Sequence, residues 1–152
     1  VVVDGRAAST DQFLDYFAEI ALSDLLAQLK ASLTAVIPVS HEADSVAQAK
    51  LLSDVLADSC QYLIVKNEGL TDRFGLYEGS QARKRIVGEL GGKEIVMPKL
   101  YDWLVAKLSA ENLTTTQAVQ NGKLSLMDRQ RLRSWQQRFY EQLDSAQEVL
   151  LP

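Results

Sequence analysis

The chain has 152 residues, of which 47% are hydrophobic and 24% charged, and its formal net charge is −4. This length suits one domain with a proper core, and the ordinary globular composition argues against disorder except at the ends. The sequence shows no apolar run near the roughly 20 residues that span a bilayer, no secretory signal pattern, and one cysteine, Cys60, which excludes an internal disulfide.

The N-terminal part of the chain predicts one long helix. Ser9 and Gln12 form an S-x-x-Q capping box, and apolar residues then recur at spacings of three and four as far as Val36. Pro38 ends the pattern, because the residue before a proline is pushed out of the helical conformation. The helix would contain about 26 residues and extend over roughly 39 Å.

A second helix is predicted from a cap at Ser40 to Gly69. Its apolar stripe consists of Val46, Ala49, Leu52, Leu56, Cys60 and Leu63. The run Tyr62–Val65 is also β-branched and apolar enough for a strand, so the end of this helix stays open. Two long helices joined by a short proline-containing turn would lie antiparallel.

Glycines interrupt the segment from Gly69 to Gly92. These glycines predict a loop, which is followed by a short helix around Gln81–Leu90. The next segment, Lys93–Met97, is short and extended in character, and it is predicted to form an edge strand or one arm of a hairpin.

The C-terminal part predicts three further helical segments. Pro98 suits the first position of a helix that runs to about Leu108, and Thr114–Val119 forms a short turn of helix closed by Asn121 and Gly122. Ser125 caps the last helix. Its apolar stripe consists of Leu132, Trp135, Phe139, Leu143, Ala146 and Leu150.

These elements together predict an all-α fold. The expected architecture is an antiparallel bundle of five to six helices, with a short β-hairpin or extended segment near residues 93–97 as its one addition. The chain has no internal repeat and no linker rich in Pro, Gly or Ser. Residues 1–152 are therefore predicted to form a single helical domain, with residues 1–9 as a candidate disordered segment.

The sequence gives little support for catalysis or metal binding. His41 is the only histidine and follows a helix cap, where a surface position is expected. Cys60 lies on an apolar stripe, as buried structural cysteines do. Acid pairs such as Asp54 and Asp58 lack the Glu-x-x-His partners of a di-iron bundle. We therefore predict a protein that is not an enzyme and binds no metal or cofactor.

Charge is distributed unevenly, and this is the most informative feature for function. Residues 1–60 carry a net charge of −6, residues 61–140 a net charge of +5, and the remainder −3. Arginine side chains bind phosphates in a fork geometry, and glutamines bind base edges. The residues predicted to contact nucleic acid are Arg83, Lys84, Arg85, Arg129, Arg131, Arg133 and Arg138.

The first functional hypothesis is a non-enzymatic helical subunit of a larger assembly that contacts a DNA or RNA backbone through this basic middle. Small helical subunits of CRISPR-type effector complexes have such a design, but the analogy is one of fold class alone. Its partners would be other protein subunits, without a membrane. The lone cysteine fits a cytoplasmic location.

Two other hypotheses remain open. Thr114–Val119, the turn that follows and the helix from Leu126 have roughly the lengths of a DNA-binding helix-turn-helix, which would make the protein a transcription regulator. Alternatively, the long first helix presents an apolar face to another chain, and the protein is an interaction module that binds no nucleic acid.

Overall fold

The computed structural model describes Val2, residues 10–120 and residues 122–150. The helices are α1 (Thr10–Glu19), α2 (Leu22–Leu29), α3 (Ala43–Leu56), α4 (Gly75–Glu78), α5 (Gln81–Arg83, continued by a π-helical segment Lys84–Glu89), α6 (Asp102–Ala110), α7 (Thr115–Gln120), α8 (Leu126–Ser145) and α9 (Gln147–Leu150). The strands are β1 (Thr34–Val39), β2 (Gln61–Asn67) and β3 (Lys93–Met97).

The predicted all-α bundle is wrong, because the centre of the molecule is a three-stranded parallel sheet in the order β1-β2-β3. Thr34 of β1 lies opposite Gln61 of β2, and Leu63 of β2 lies opposite Lys93 of β3. Parallel neighbours require crossover connections, which α3 supplies between the first pair and α4 and α5 supply between the second. The fold is therefore a mixed α/β architecture.

The predicted first helix is wrong beyond its first half. The backbone turns into the left-handed region at Ala21 (φ 46°) and at Lys30 (φ 51°), which separates α1 from α2 and ends α2. Val36 then belongs to β1, although its spacing from the preceding leucines matches a helix. Pro38 lies inside this strand and does not end a helix.

Pro38 is tolerated because of where its missing N–H would point. Leu33 accepts a hydrogen bond from the amide of Gln61, so Leu33 and every second residue after it face β2. Pro38 has the opposite parity and faces the outer edge of the sheet. Prolines in strands are found at such edges, since no ladder hydrogen bond is lost there.

The predicted second helix also proves to be two elements. It ends at Leu56, and Ala57 takes a positive φ of 43°. The chain then enters β2, whose residues Tyr62–Val65 are all buried. A central parallel strand covered on both faces is expected to be a continuous apolar run of this kind. The antiparallel helix pair predicted for this region is therefore absent from the described residues.

One face of the sheet carries the larger core. Tyr62 and Ile64 of β2 point to this face, where α1, α3, α4 and α5 cover them. The buried members of this core are Leu14, Phe17, Ile37, Val39, Ala49, Leu56, Tyr62, Ile64, Phe74, Tyr77, Ala82 and Ile86.

The other face of the sheet is covered by the end of the chain. Leu63 and Val65 point to it, because successive side chains of a strand alternate between faces. They pack with Ile95 of β3 against Ala146 and Val149, in the segment from the end of α8 into α9.

A third core joins α6, α7 and the first half of α8. Its buried members are Leu104, Leu108, Ala118, Leu124 and Leu132. The two halves of α8 therefore pack against different parts of the fold. The first half completes a three-helix unit, and the second half covers the sheet. The predicted α7 is confirmed, and α8 begins as predicted, with Ser125 as a cap that accepts a hydrogen bond from the amide of Asp128 at 3.1 Å. The prediction that this last helix continues to Leu150 is wrong, because α8 ends at Ser145 and α9 follows.

The extended segment predicted at residues 93–97 is confirmed as β3, an edge strand, but it pairs in parallel with β2 and is not a hairpin arm. Across the described residues no helix has the length and apolar character needed to cross a membrane. Apart from Val2, the expectation of disorder over residues 1–9 concerns residues outside those described, and so do the caps predicted at Ser9 and Asn121.

Candidate nucleic-acid interface

The structure places the first predicted cluster, Arg83, Lys84 and Arg85, at the start of the helical segment that crosses from β2 to β3. Arg83 holds Glu94 of β3 with two hydrogen bonds, from Nε at 3.0 Å and from Nη2 at 2.8 Å. Arg85 donates from Nε to the backbone oxygen of Ser53 at 3.1 Å. Two of these three cations are therefore engaged within the protein, and only Lys84 is exposed without an ion pair among the described residues.

Glu94 is the centre of a small ionic network on the larger-core face of the sheet. Besides Arg83 it has Lys66 at 3.9 Å, and Lys66 also pairs with Glu78 at 3.0 Å. Burial raises the pKa of Glu94, but the hydrogen bonds from Arg83 and the attraction of Lys66 outweigh it, so the pKa lies below its usual value. This network fastens α4 and α5 to the sheet.

The second predicted cluster lies on α8. Arg129 and Arg133 are one helical turn apart on one side of the helix, and Arg131 and Arg138 are two turns apart on the other side. The two clusters lie on opposite faces of the sheet, because α5 packs on the Tyr62 face and α8 on the other. The seven predicted residues thus do not form one continuous surface.

The arginines of α8 are available to an external anion. Within the described residues Arg129, Arg133 and Arg138 form no ion pair with a carboxylate, and Nε of Arg129 is buried without a hydrogen-bond partner. Arg138 makes one long hydrogen bond, 3.4 Å, to the backbone oxygen of Ser134. Arg133 and Arg138 are exposed, so their guanidinium groups are the ones that an external anion can reach.

Between the two arginine rows the exposed side of α8 is uncharged at first and acidic later. Gln130 and Gln137 lie along its midline, directly opposite the buried side that contains Leu132. Further along the helix the same side carries Glu141 and Asp144, which are both exposed. An anion such as a phosphate backbone is therefore favoured only along the first half of α8.

Asp128 fixes α8 against α6. This carboxylate is buried and accepts a hydrogen bond from Nζ of Lys107 at 2.8 Å, while Arg131 lies at 3.7 Å. The hydrogen bond from Lys107 is the main reason that the pKa of Asp128 lies below its usual value. Arg131 and Lys107 are thus held on the same side of the three-helix unit.

Sequence reasoning missed an aromatic pair at the start of α6. Tyr101 and Trp103 stack with ring centroids 5.9 Å apart and planes 21° apart, and both rings are substantially exposed. The Trp103 ring also faces Lys107 at 5.4 Å and Arg131 at 5.5 Å. The i, i+4 spacing of Trp103 and Lys107 is visible in the sequence, but the approach of Arg131 depends on the packing of α8.

The described residues also form an open concavity of about 650 Å³ at the carboxyl ends of the strands. It is lined by His41, Glu68, Leu70, Thr71, Asp72, Arg73 and Lys99. Its charges are mixed, since carboxylates stand beside the cations and Lys99 pairs with Asp102 at 3.5 Å. A sheet in the order β1-β2-β3 also lacks the strand reversal at which such edges usually bind ligands.

Catalytic and metal-binding groups are sparse. The part of the chain that the structure describes holds no group of three or more His, Cys, Asp or Glu side chains that could bind a metal ion. His41 is exposed, and Cys60 is partly buried just before β2, where burial raises the pKa of its thiol. A thiol with a raised pKa is a poor nucleophile.

Comparisons of the chain with models of protein families, with curated proteins and with solved structures gave no match.

Proposed function

We propose that the protein is a non-enzymatic, cytoplasmic DNA-binding protein that places the first half of α8 in the major groove of duplex DNA. One observation carries the proposal. The exposed side of that half-helix has Gln130 on its midline, Arg129 and Arg133 on one flank and Arg131 on the other.

This arrangement matches the shape of the groove. The major groove of B-DNA is about 12 Å wide, which admits one α-helix, and a phosphate backbone runs along each side of it. A helix seated in the groove turns its midline to the base edges and its flanks to the phosphates. Glutamine binds adenine through two hydrogen bonds, and arginine binds phosphate. The glutamine side chain would therefore face the base edges, and the arginine side chains would face the phosphates.

The packing of the three-helix unit supports the same reading. Helices α7 and α8 follow each other across a short turn, as in a helix-turn-helix, and Ala118 and Leu132 hold them together with α6. The length of α8 is not an obstacle, because its second half is committed to covering the sheet. The acidic residues Glu141 and Asp144 lie in that second half, where Glu141 accepts a hydrogen bond from the side-chain amide of Gln137 at 3.0 Å.

The proposal retains one part of the subunit hypothesis, the contact with a nucleic-acid backbone. The analogy with small helical CRISPR subunits rested on an all-α fold, and the parallel sheet removes that support. The expectation of salt-sensitive contacts to a nucleic-acid backbone is supported by the unpaired arginines of α8. Arg83 and Arg85 are left out of the proposed contact, because their ion pairs hold the fold together.

The test is a salt-titrated binding assay with duplex DNA, by fluorescence anisotropy of a labelled duplex. We expect binding that weakens steeply between about 50 and 200 mM salt, as counterion release demands. Arg133→Ala should weaken binding to every duplex and reduce the slope of log affinity against log salt by about one. Replacing Gln130 by Ala should instead reduce discrimination between duplex sequences.

Lys84→Ala is the matched control. It removes one exposed, unpaired cation from the opposite face of the sheet, so it should leave both affinity and salt slope unchanged. The proposal fails if the protein binds no duplex at low salt. It also fails if Lys84→Ala and Arg133→Ala weaken binding equally, since attraction would then follow net charge alone.

A further inference from the structure

We infer that the stacked pair of Tyr101 and Trp103, here called the aromatic platform, binds an unpaired base beside the duplex. The preferred ligand would then be DNA with a junction between double and single strands. This inference rests on the proposed function, because it adds a second contact to the DNA held by α8.

The platform has the form of a base-stacking site. Tyr101 is 58% exposed and Trp103 is 41% exposed, although large aromatic rings contribute most when they are buried. The rings already stack on each other, so a stacked arrangement exists before any ligand arrives. A base that stacks on the open ring of Tyr101 extends an existing stack and orders few additional side chains.

Charge around the platform suits a nucleotide. The cations of Lys107 and Arg131 lie against the Trp103 ring, and the buried carboxylate of Asp128 offsets only one of these two charges. The surplus is positive, as a phosphate next to a stacked base requires. Sites for single strands generally combine such stacking aromatics with basic side chains.

The platform is also placed next to the proposed duplex contact. Arg131 stands on one flank of α8 and reaches back to Trp103, so it links the groove-binding helix to the platform. A DNA strand that leaves the groove along this flank passes the two rings. A second protein chain is the other conceivable occupant of exposed aromatics, and the experiment distinguishes it.

The experiment compares a blunt duplex with the same duplex carrying a short single-stranded overhang. We expect the overhang to increase affinity on the order of tenfold, since stacking of one base on an aromatic side chain gives gains of that size. Trp103→Leu and, as a second variant, Tyr101→Leu should each bring the ratio of the two affinities close to one. Tyr16→Leu removes an exposed ring from α1 and should leave the ratio unchanged.

Tryptophan fluorescence provides an independent readout. The chain has two tryptophans, and the indole of Trp135 is partly buried and donates to the backbone oxygen of Pro98 at 2.7 Å. Binding of a base to the aromatic platform should therefore change mainly the fluorescence of Trp103, and the change should disappear in Trp103→Leu. Thermal melting of each variant verifies that it is folded.

The outcomes separate the two proposals. Equal affinity for blunt and overhanging duplexes overturns the platform inference and leaves the groove-binding proposal intact, whereas no binding to either duplex overturns both. Self-association that disappears in Trp103→Leu, measured by sedimentation without DNA, would identify the rings as a protein interface and also overturn the inference.

Discussion

At the scale of single residues, the turn into β3 depends on two neighbouring glycines. Gly91 has a φ of 70°, in the left-handed region where a side chain is strained. Gly92 is packed so closely that an added Cβ would stand 2.6 Å from Cγ2 of Ile86 and 3.0 Å from Cβ of Tyr62. The start of β3 therefore lies directly against the larger core.

We expect Gly92→Ala to destabilise the protein by about 1–3 kcal/mol, because an overpacked core has to shift its side chains or backbone. Gly88→Ala is the matched control, since its Cβ would meet nothing within 4 Å and alanine is the better residue in a helical segment. Urea unfolding of both variants measures the difference. Equal stability of the two variants would contradict the close packing at Gly92.

The positions of the charged residues in the candidate site were only partly predictable from the sequence. The arginines of α8 were predicted on one helix with the correct sides, because helical spacing fixes their relative positions. The engagement of Arg83 was not visible, since its partner Glu94 lies on a strand that the fold brings beside α5. Contacts between elements depend on the tertiary fold, which the spacing of one segment does not encode.

At the scale of elements, α8 both completes the three-helix unit and protects the free edge of the sheet. The amide of Val96 points away from β2, and Gln142 of α8 accepts its hydrogen bond through Oε1 at 3.0 Å. An edge strand otherwise exposes such amides to other chains. Gln142 thus ends the sheet at β3.

We expect Gln142→Ala to accelerate hydrogen exchange at the amide of Val96 by about tenfold, as loss of one hydrogen bond of ordinary strength implies. The amide of Ile95 faces β2 and should keep its protection. Amide-resolved exchange by NMR measures both positions. Unchanged exchange at Val96 would mean that α8 protects the edge by burial alone.

The local sequence signals of each element explain which elements were predicted correctly. The start of helix α8 was predicted correctly because its cap and its first-turn acid agree with the apolar stripe that follows them. The segment around β1 was not predicted, because Leu33 and Val36 continue the spacing of three and four residues set by the leucines before them. Periodicity alone cannot distinguish a helix from a strand when the segment has only six residues, as β1 has.

At the scale of the whole molecule, stability is tied to two carboxylates with lowered pKa values, Glu94 and Asp128. Each fastens helices to another part of the fold, α5 to the sheet in one case and α6 to α8 in the other. A carboxylate whose folded pKa lies below its unfolded value stabilises the fold above the unfolded pKa, and that contribution is lost as the pH falls through the folded pKa.

We therefore expect the free energy of unfolding to decrease as the pH is lowered below about 4, where unfolded carboxyl groups begin to take up protons. Glu94→Gln should lower stability at pH 7 by about 1–2 kcal/mol, because Arg83 loses a charged partner, and should reduce the further decrease in acid. Urea unfolding from pH 7 to pH 3 measures both. Parallel pH profiles for the two proteins would contradict a coupling of Glu94 to acid stability.

The fold class could not be predicted from the sequence patterns. Within the described residues the sheet has three strands, and its central strand is buried on both faces, so β2 lacks the alternation that identifies a strand. The helices outnumber the strands and give the stronger signals. A bundle was the natural prediction, and the parallel pairing that overturns it depends on contacts between distant segments.

Pro38 has a further consequence for the behaviour of the protein at high concentration. It interrupts the outward-facing row of amides on β1, at the edge that no other strand covers among the described residues. Val36 on this strand is exposed, so without the proline the edge would offer an apolar template to a strand of a second molecule. We therefore expect Pro38, which matched the end of a helix in the sequence, to reduce pairing of this edge with a second molecule.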